Sequence, residues 1–458
     1  MYEGVARSNS TLSLIGTSGD AISADDKTRL TGEARFLRGH YYFELKKIFN
    51  NTPYVDETWD EVTPVSNTTD LWGPIEADLR TAFETLPETQ ADAGRANKWA
   101  AGSYYGKALL FQGKYADAKA VFDDVIANGQ TANGQPYGLN SNYADAFRSP
   151  NDNSLESVFA VQAASGTGDI NNANPGMVLN FPNGAGAPGG CCGFFQPSIE
   201  LGNSFRTTAD GLPLLDGSHN DPGNELVHDL GIMSDEAFAL DADPVDPRLD
   251  HSIGRRGIPY LDWGDHPGFN WIRDQQYAGP YSPKKFIYYQ GGIGTENDGS
   301  SWTPGYTAVN YNIIRYADVL LMAAECEIEL GNLDAGLALI NQVRDRAKGS
   351  PVLRVDGTPA ANYNVATYDS FGSQEMARSA LRMERKLELS GEGHRFYDLV
   401  RWGIAASTLN AYIAYEGPQL NAPFSGANFT AGTNEFLPIP QNEIDLLGAS
   451  VLIQNPGY

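Results

Sequence analysis

The run Glu384-Arg-Lys-Leu-Glu-Leu-Ser-Gly-Glu-Gly-His-Arg-Phe-Tyr-Asp-Leu-Val-Arg-Trp-Gly403 constrains this chain more than any other stretch, because it sets charges and aromatics at helical spacing around a glycine break. Met383, Leu387 and Ser390 share one helix face, and Glu384 and Glu388 reach Arg385 and Lys386 along the surface. Gly391 and Gly393 supply a stop. A second helix restarts at about His394, with Arg395, Asp398 and Arg401 on one side and Phe396, Leu399 and Trp402 on another. Glu392, His394, Arg395 and Asp398 have the chemistry of a catalytic cluster, but charges at this spacing are the ordinary pattern of an ion-pair brace between helices. The brace is expected, and no catalytic residue is assigned.

This run resembles the signature of the SusD/RagB family of outer-membrane nutrient-binding lipoproteins, E-R-x-x-E-L-x-x-E-G-x-R-x-x-D-L-x-R-W, and every fixed position is present. Residues Gly32–Leu45, Tyr311–Glu325, Phe436–Ile444 and Gln454–Gly457 agree with the same family in family order. The departure is Ser390-Gly391, where the family usually carries a small residue followed by an aromatic, so the packing of that turn is expected to differ. The resemblance implies a mainly α fold of tetratricopeptide-like helix pairs, with a loop-rich insertion containing a few short strands. It also implies a cell-surface lipoprotein of a Gram-negative outer membrane, partnered by a SusC-like TonB-dependent transporter barrel. Residues 1 to 20 contain no signal and no cysteine, and no stretch reaches the roughly 20 apolar residues that span a bilayer. The lipid anchor and the N-terminal part that would carry it are therefore implied by the resemblance and absent from these residues.

With 458 residues, 41% of them hydrophobic, the chain can bury a large core. A net charge of −25, from 57 acidic against 32 basic side chains, repels phosphate backbones, so nucleic acid is excluded as a partner. Cys191 and Cys192 are adjacent, so closing them on each other strains the bridge, and two unlinked small residues are expected. No Cys or His at ligand spacing accompanies them, and no metal is assigned. Calcium is the one cofactor left open, at the carboxylate-rich run Asp241-Ala-Asp-Pro-Val-Asp-Pro-Arg-Leu-Asp250, which lacks the glycine and spacing of an EF-hand.

Periodicity predicts helices over about 1–15, 24–49, 70–86, 95–112 and 115–128, then again over 311–330, 333–347, 374–391 and 394–407. Between them the chain is rich in Gly, Pro, Asn and Asp, with short strand-like runs at Val158–Val161 and Lys285–Tyr289. The expected organisation is an N-terminal helical scaffold (1–128), a loop-rich ligand-binding insertion (129–309), and a C-terminal helical scaffold with an irregular tail (310–458), together one SusD-like unit. Tyr104–Val125 and Met322–Val343 repeat a helix, glycine turn and helix, with Gly113 matching Gly331 and Ala108, Phe122 and Val125 matching Cys326, Ile340 and Val343. That phasing is how tetratricopeptide-like pairs pack.

If the helices are scaffold, binding groups belong on the insertion. A pyranose offers an apolar C–H face and a rim of hydroxyls, so it needs flat rings and bidentate polar groups. Trp263, Trp271, Trp302, Tyr260 and Tyr306 supply rings, and Asp262, Asn270 and Arg273, with Asp265 nearby, supply the rim. Trp59 is a further candidate. The competing expectation is that these aromatics plug the core beneath long loops.

Enzyme motifs fail their mechanical requirements: no Gly-x-Ser-x-Gly, no His-Glu-x-x-His and no phosphate-cradling Gly-Lys-Ser/Thr loop occurs. Gly184-Ala-Gly-Ala-Pro-Gly189 matches a dinucleotide fingerprint in spacing, but no helix can start after it. The expected function is non-catalytic capture of oligosaccharide at the cell surface and its delivery to the transporter. Alternatives are a peptide-binding uptake lipoprotein of the RagB branch, a glycoside hydrolase, which needs only two carboxylates flanking a cleft, and a structural tetratricopeptide adaptor.

Overall fold

The computed structural model describes residues 1–60, 62–299, 306–420 and 424–458. Helices α1 (Tyr2–Thr17), α2 (Ala24–Phe49), α3 (Trp72–Thr85), α4 (Lys98–Phe111) and α5 (Tyr115–Asn128) come first. The irregular middle holds β1 (Ser157–Val161), α6 (Ile199–Ser204), α7 (Arg248–Ser252), β2 (Ile253–Gly254), α8 (Gln275–Ala278), β3 (Ser282–Pro283), β4 (Asn297–Asp298), β5 (Tyr306–Thr307) and β6 (Tyr311–Arg315). Then follow α9 (Tyr316–Glu329), α10 (Leu333–Lys348), α11 (Gln374–Glu388), α12 (Arg395–Arg401), α13 (Ala405–Glu416) and α14 (Gln441–Leu447). The chain is mainly helical with a few short strands, as the sequence predicts.

Compactness groups the chain into two units: residues 1–137 with 396–407 and 429–458, and residues 138–395 with 408–428. In the first, α1 to α5 pack each on the next. Ser23 caps α2 by accepting from the Asp26 amide, and Asn97 caps α4 by accepting from Ala100. Arg38 on α2 forms a bidentate pair with Asp78 on α3, at 2.7 and 2.9 Å, both side chains buried. The tail is less irregular than its sequence reads: α14 places Ile444 beside Ile439 and Leu452 against Phe49 of α2.

In the second unit α9, α10 and α11 pack on one another, and β1 pairs antiparallel with β6. Residues 311–315, read from sequence as the start of a helix, are instead that strand. Ile313 and Ile314 favour extended backbone, and Ser157, Phe159, Ala160 and Val161 of β1 offer a ladder to pair with. The helix predicted over 394–407 is two, because Gly403 turns with φ +68° between α12 and α13.

The repeat seen in the sequence is built as expected. Gly113 and Gly331 both sit in the left-handed region, at φ +70° and +86°, and end α4 and α9. Ala108, Phe122, Val125 and their counterparts Cys326, Ile340 and Val343 are all 0% exposed.

The Glu384–Trp402 signature is a brace, and it is buried rather than on the surface. Glu384 and Glu388 do not pair with their helix neighbours; they meet arginines supplied by other elements. Glu384 accepts from Arg248 (2.6 Å) and Arg344 (2.9 Å). Glu388 accepts from Arg248 (2.9 Å), Arg315 (2.6 Å) and Arg346. Glu392 accepts from Lys285 (2.7 Å) and Arg315 (2.8 Å). Glu156 completes the network, accepting from Arg315 at 2.8 Å and Arg346 at 3.0 Å. Burial raises the Glu388 carboxyl, but Arg346, Arg315 and Arg248 outweigh it and hold the group far below the usual carboxylate range. Such a network fixes geometry more than it adds stability, because each charge was taken out of water to make it.

Candidate binding surface of the loop-rich unit

The aromatic loop of the sequence divides into a core and a rim. Tyr260 (0% exposed) and Trp271 (6%) join Phe181, Ile287 and Tyr288 in a buried cluster, with Trp263 and Tyr306 half-buried against it. Trp263 donates its indole N–H to the Tyr288 carbonyl at 3.0 Å, and Trp271 donates to Ala185 at 3.3 Å. His266 stacks edge-on to Trp271 at 5.4 Å. Burial, with nearby Lys284, pushes its imidazole down to about 3, so it is neutral.

The polar members lie outside. Asp262 is exposed and accepts from the Gln290 and Gly291 amides at 2.6 and 2.8 Å. Asn270 is exposed, its backbone held by Ser234 at 3.0 Å. Asp265 lies 3.6 Å from Arg354. Trp302 lies outside the described residues.

Arg273 leads to a pair of residues that sequence reading missed. Its guanidinium donates to the Cys192 carbonyl at 2.8 Å and stacks over the Phe194 ring at 4.1 Å. Phe194 is 42% exposed and Phe195 66%, the latter with φ +52°. The loop carrying them lies against residues 270–273 through the bond from Asn183 N to Trp271 O (3.0 Å). Two glycines permit that approach: a Cβ on Gly184 would lie 2.1 Å from the Asn270 carbonyl, and one on Gly193 2.8 Å from the Arg273 side chain. The available signal was two consecutive phenylalanines in a Gly/Pro loop, which cannot both point into one core. Cys191 and Cys192 are disulfide-bonded, their Cα atoms 3.2 Å apart, correcting the expectation of an unlinked pair: the loop brings the neighbouring side chains into reach of each other.

Phe195 stands at the edge of a cavity of about 450 Å³ lined also by Met177, Pro197, Leu201, Phe286 and Tyr311, with the turn Ser390–Gly393 as part of its wall. A Cβ on Gly391 would meet nothing within 4 Å, so the turn that departs from the family signature leaves open space. The carboxylate at this wall, Glu392, is committed to Lys285 and Arg315.

In the other unit, Trp59 is 40% exposed beside a separate hollow of about 730 Å³ shared with Tyr2, Asn9 and Glu57. Its indole N–H donates to Thr63 at 2.9 Å. The carboxylate run at 241–250 does not wait for calcium. Asp241 pairs with Arg206 (2.6 Å), Asp246 with Arg248 (2.7 Å) and Asp250 with Arg255 (2.6 Å), so arginines already hold three of its four carboxylates. Among the described residues no helix is long and apolar enough to cross a membrane.

Residues 155–458 match the SusD family model, and residues 1–110 match the model described as starch-binding associating with outer membrane. Two SusD-like proteins of Formosa agariphila are similar. One is 26% identical over 396 residues, covering 84% of this chain and 66% of that protein. The other is 24% identical over 461 residues, covering 97% and 79%. This chain thus spans about two thirds of the length of the first of these curated relatives. A solved laminarin-binding SusD-like protein, 26% identical, superposes with a TM-score of 0.64 over 100% of this chain and 84% of its own. A SusD superfamily protein from Bacteroides vulgatus, 23% identical, superposes with a TM-score of 0.70 over the same shares. With a family signature in the sequence, the helix-pair fold it implies and a family model matching most of its length, this chain belongs to the SusD family.

Proposed function

We propose that this chain captures oligosaccharide at the outer surface of a Gram-negative cell and passes it, uncleaved, to a SusC-like TonB-dependent barrel. The observation that carries this reading is the exposed Phe194–Phe195 pair, braced by Arg273 at the edge of the cavity. Exposed rings offer flat faces to the C–H side of a sugar, and the Arg273 fork offers hydroxyls its donors. Asp262 and Asn270, exposed, and Trp263 and Tyr306, half-buried, are further candidate ligand groups of the same unit, while Tyr260 and Trp271 belong to its buried cluster. Trp302 belongs in the same substitution series. The laminarin-binding relative supports a glycan as the ligand class and makes laminarin the first polysaccharide to try. Membership of the family supports attachment to the outer membrane through an N-terminal lipid and docking on the barrel as parts of this reading.

Cleavage is not part of the proposal. Glycoside hydrolysis needs two free carboxylates across a cleft, and among the described residues lining the Phe195 cavity the acid is Glu392 alone, already ion-paired. Titration calorimetry with laminarin oligosaccharides, set beside a peptide library, tests the reading. Binding of glycan that Phe195→Ala and Arg273→Ala weaken about tenfold or more supports it; retention of peptides alone moves the assignment to peptide uptake. Release of shorter sugars, lost in Asp152→Asn, would make the chain a hydrolase, since Asp152 and Glu296 share a different cavity.

A further inference from the structure

That other cavity, of about 440 Å³, is polar and holds two acids without a counter-charge. It is bounded by Asp152, Asn153, Gln162, Ser165, Glu296 and Asn310. Both Asp152 oxygens accept from a single backbone amide, Asn310 N, at 3.1 Å each. Glu296 is 8% exposed, and its Oε2 is buried with no hydrogen-bond partner. Among the described residues neither carboxylate is ion-paired to a lysine, arginine or histidine, in contrast to Glu388 and to Asp241, Asp246 and Asp250, each of which meets an arginine. Burial, with the Glu296 charge adding to it, pushes the Asp152 carboxyl up to about 7. Leaving such groups bare in a buried place costs far more than a bound cation or proton would.

The surrounding donors decide which cation fits. Asn153 Oδ1 accepts one hydrogen bond, from Gln162 Nε2 at 3.0 Å, and Asn310 Oδ1 accepts one, from Ala163 N at 2.8 Å. An amide oxygen has two lone pairs, so each keeps one. Among the described residues no three His, Cys, Asp or Glu side chains gather as metal ligands, which removes the nitrogen and sulfur sites of zinc. A cavity offering two carboxylates, amide oxygens and room for water is the ligand set of a hard cation with flexible coordination. We propose that this cavity binds one calcium ion, ligated by Asp152, Glu296, the side-chain oxygens of Asn153 and Asn310, and water. The site is separate from the Phe195 cavity and does not depend on the glycan reading.

Chelator-stripped full chain is titrated with calcium chloride by calorimetry, with magnesium chloride in parallel, and its thermal unfolding is followed with and without each salt. The expected result is a single calcium site with a dissociation constant on the order of 10⁻⁴ M and a calcium-dependent rise in Tm. Glu296→Gln and, as an independent second variant, Asp152→Asn each weaken calcium at least about tenfold and remove the rise. Should a variant fail to fold by circular dichroism, the wild-type titration decides alone. Absence of any calcium heat in wild type, equal affinity for magnesium, or unchanged affinity in well-folded variants overturns the proposal.

Discussion

Arg315 Nη1 donates to Glu388 Oε1 at 2.6 Å, with the arginine side chain 1% and the glutamate 0% exposed. The pair joins the end of β6 to the last turn of α11, elements that the sequence separates by 73 residues. Because Glu388 also serves Arg248 and Arg346, Glu388→Gln leaves arginine charge buried and uncompensated. It should cost roughly 3–5 kcal/mol, read as a lower urea midpoint at unchanged slope.

Acid should unfold the protein in two stages. His40 and His251 are pushed down to about 4 by burial, and His266 to about 3. A base whose folded pKa is depressed contributes stability that is present above its unfolded value, near 6.5, and lost as pH falls towards the folded one. Each should cost roughly 1–2 kcal/mol by pH 5. Glu388, Glu392 and Asp250 are held low by their cationic partners, so their contribution is present above about pH 4–5 and disappears below it. Urea midpoints measured from pH 8 to pH 4 should decline from about 6.5 downward, and His266→Gln should flatten the first part of that decline.

Two aromatic substitutions should separate support from contact. Trp271→Ala removes a ring that is 6% exposed and should cost roughly 3–5 kcal/mol of stability. Phe195→Ala removes a ring that is 66% exposed and should change stability by less than about 0.5 kcal/mol while reducing glycan affinity. Equal effects of both on stability would contradict the division into core and rim.

How much of this was legible in the sequence depends on where each signal is stored. The turns at Gly113 and Gly331 were readable because a helix pair writes its packing every three or four residues. The brace is readable in kind, but its partners are not: Arg248, Arg315, Arg344 and Arg346 approach α11 from distant segments, whereas helical spacing points only to near neighbours. Residues 311–315 run straight from strand to helix with no Gly or Pro between, and periodicity could not mark the join. In the Gly/Pro loops no period distinguishes inside from outside, which is why Trp271 read as a ligand residue and Phe195 was passed over.

Gly331 ends α9 at φ +86°, a backbone region that costs an L-residue roughly 1–2 kcal/mol. A Cβ there meets nothing within 4 Å, so Gly331→Ala should show that conformational cost alone, as a Tm lower by about 1–2 °C with binding unchanged.

Affinity electrophoresis of the full chain through gels containing laminarin and a panel of plant and algal polysaccharides, with product analysis of the same samples, tests the central claim most directly. The account predicts retardation by at least one glycan, no shortened products, and loss of retardation in Phe195→Ala with its fold intact. Free migration through every glycan, or retardation accompanied by cleavage, would contradict it.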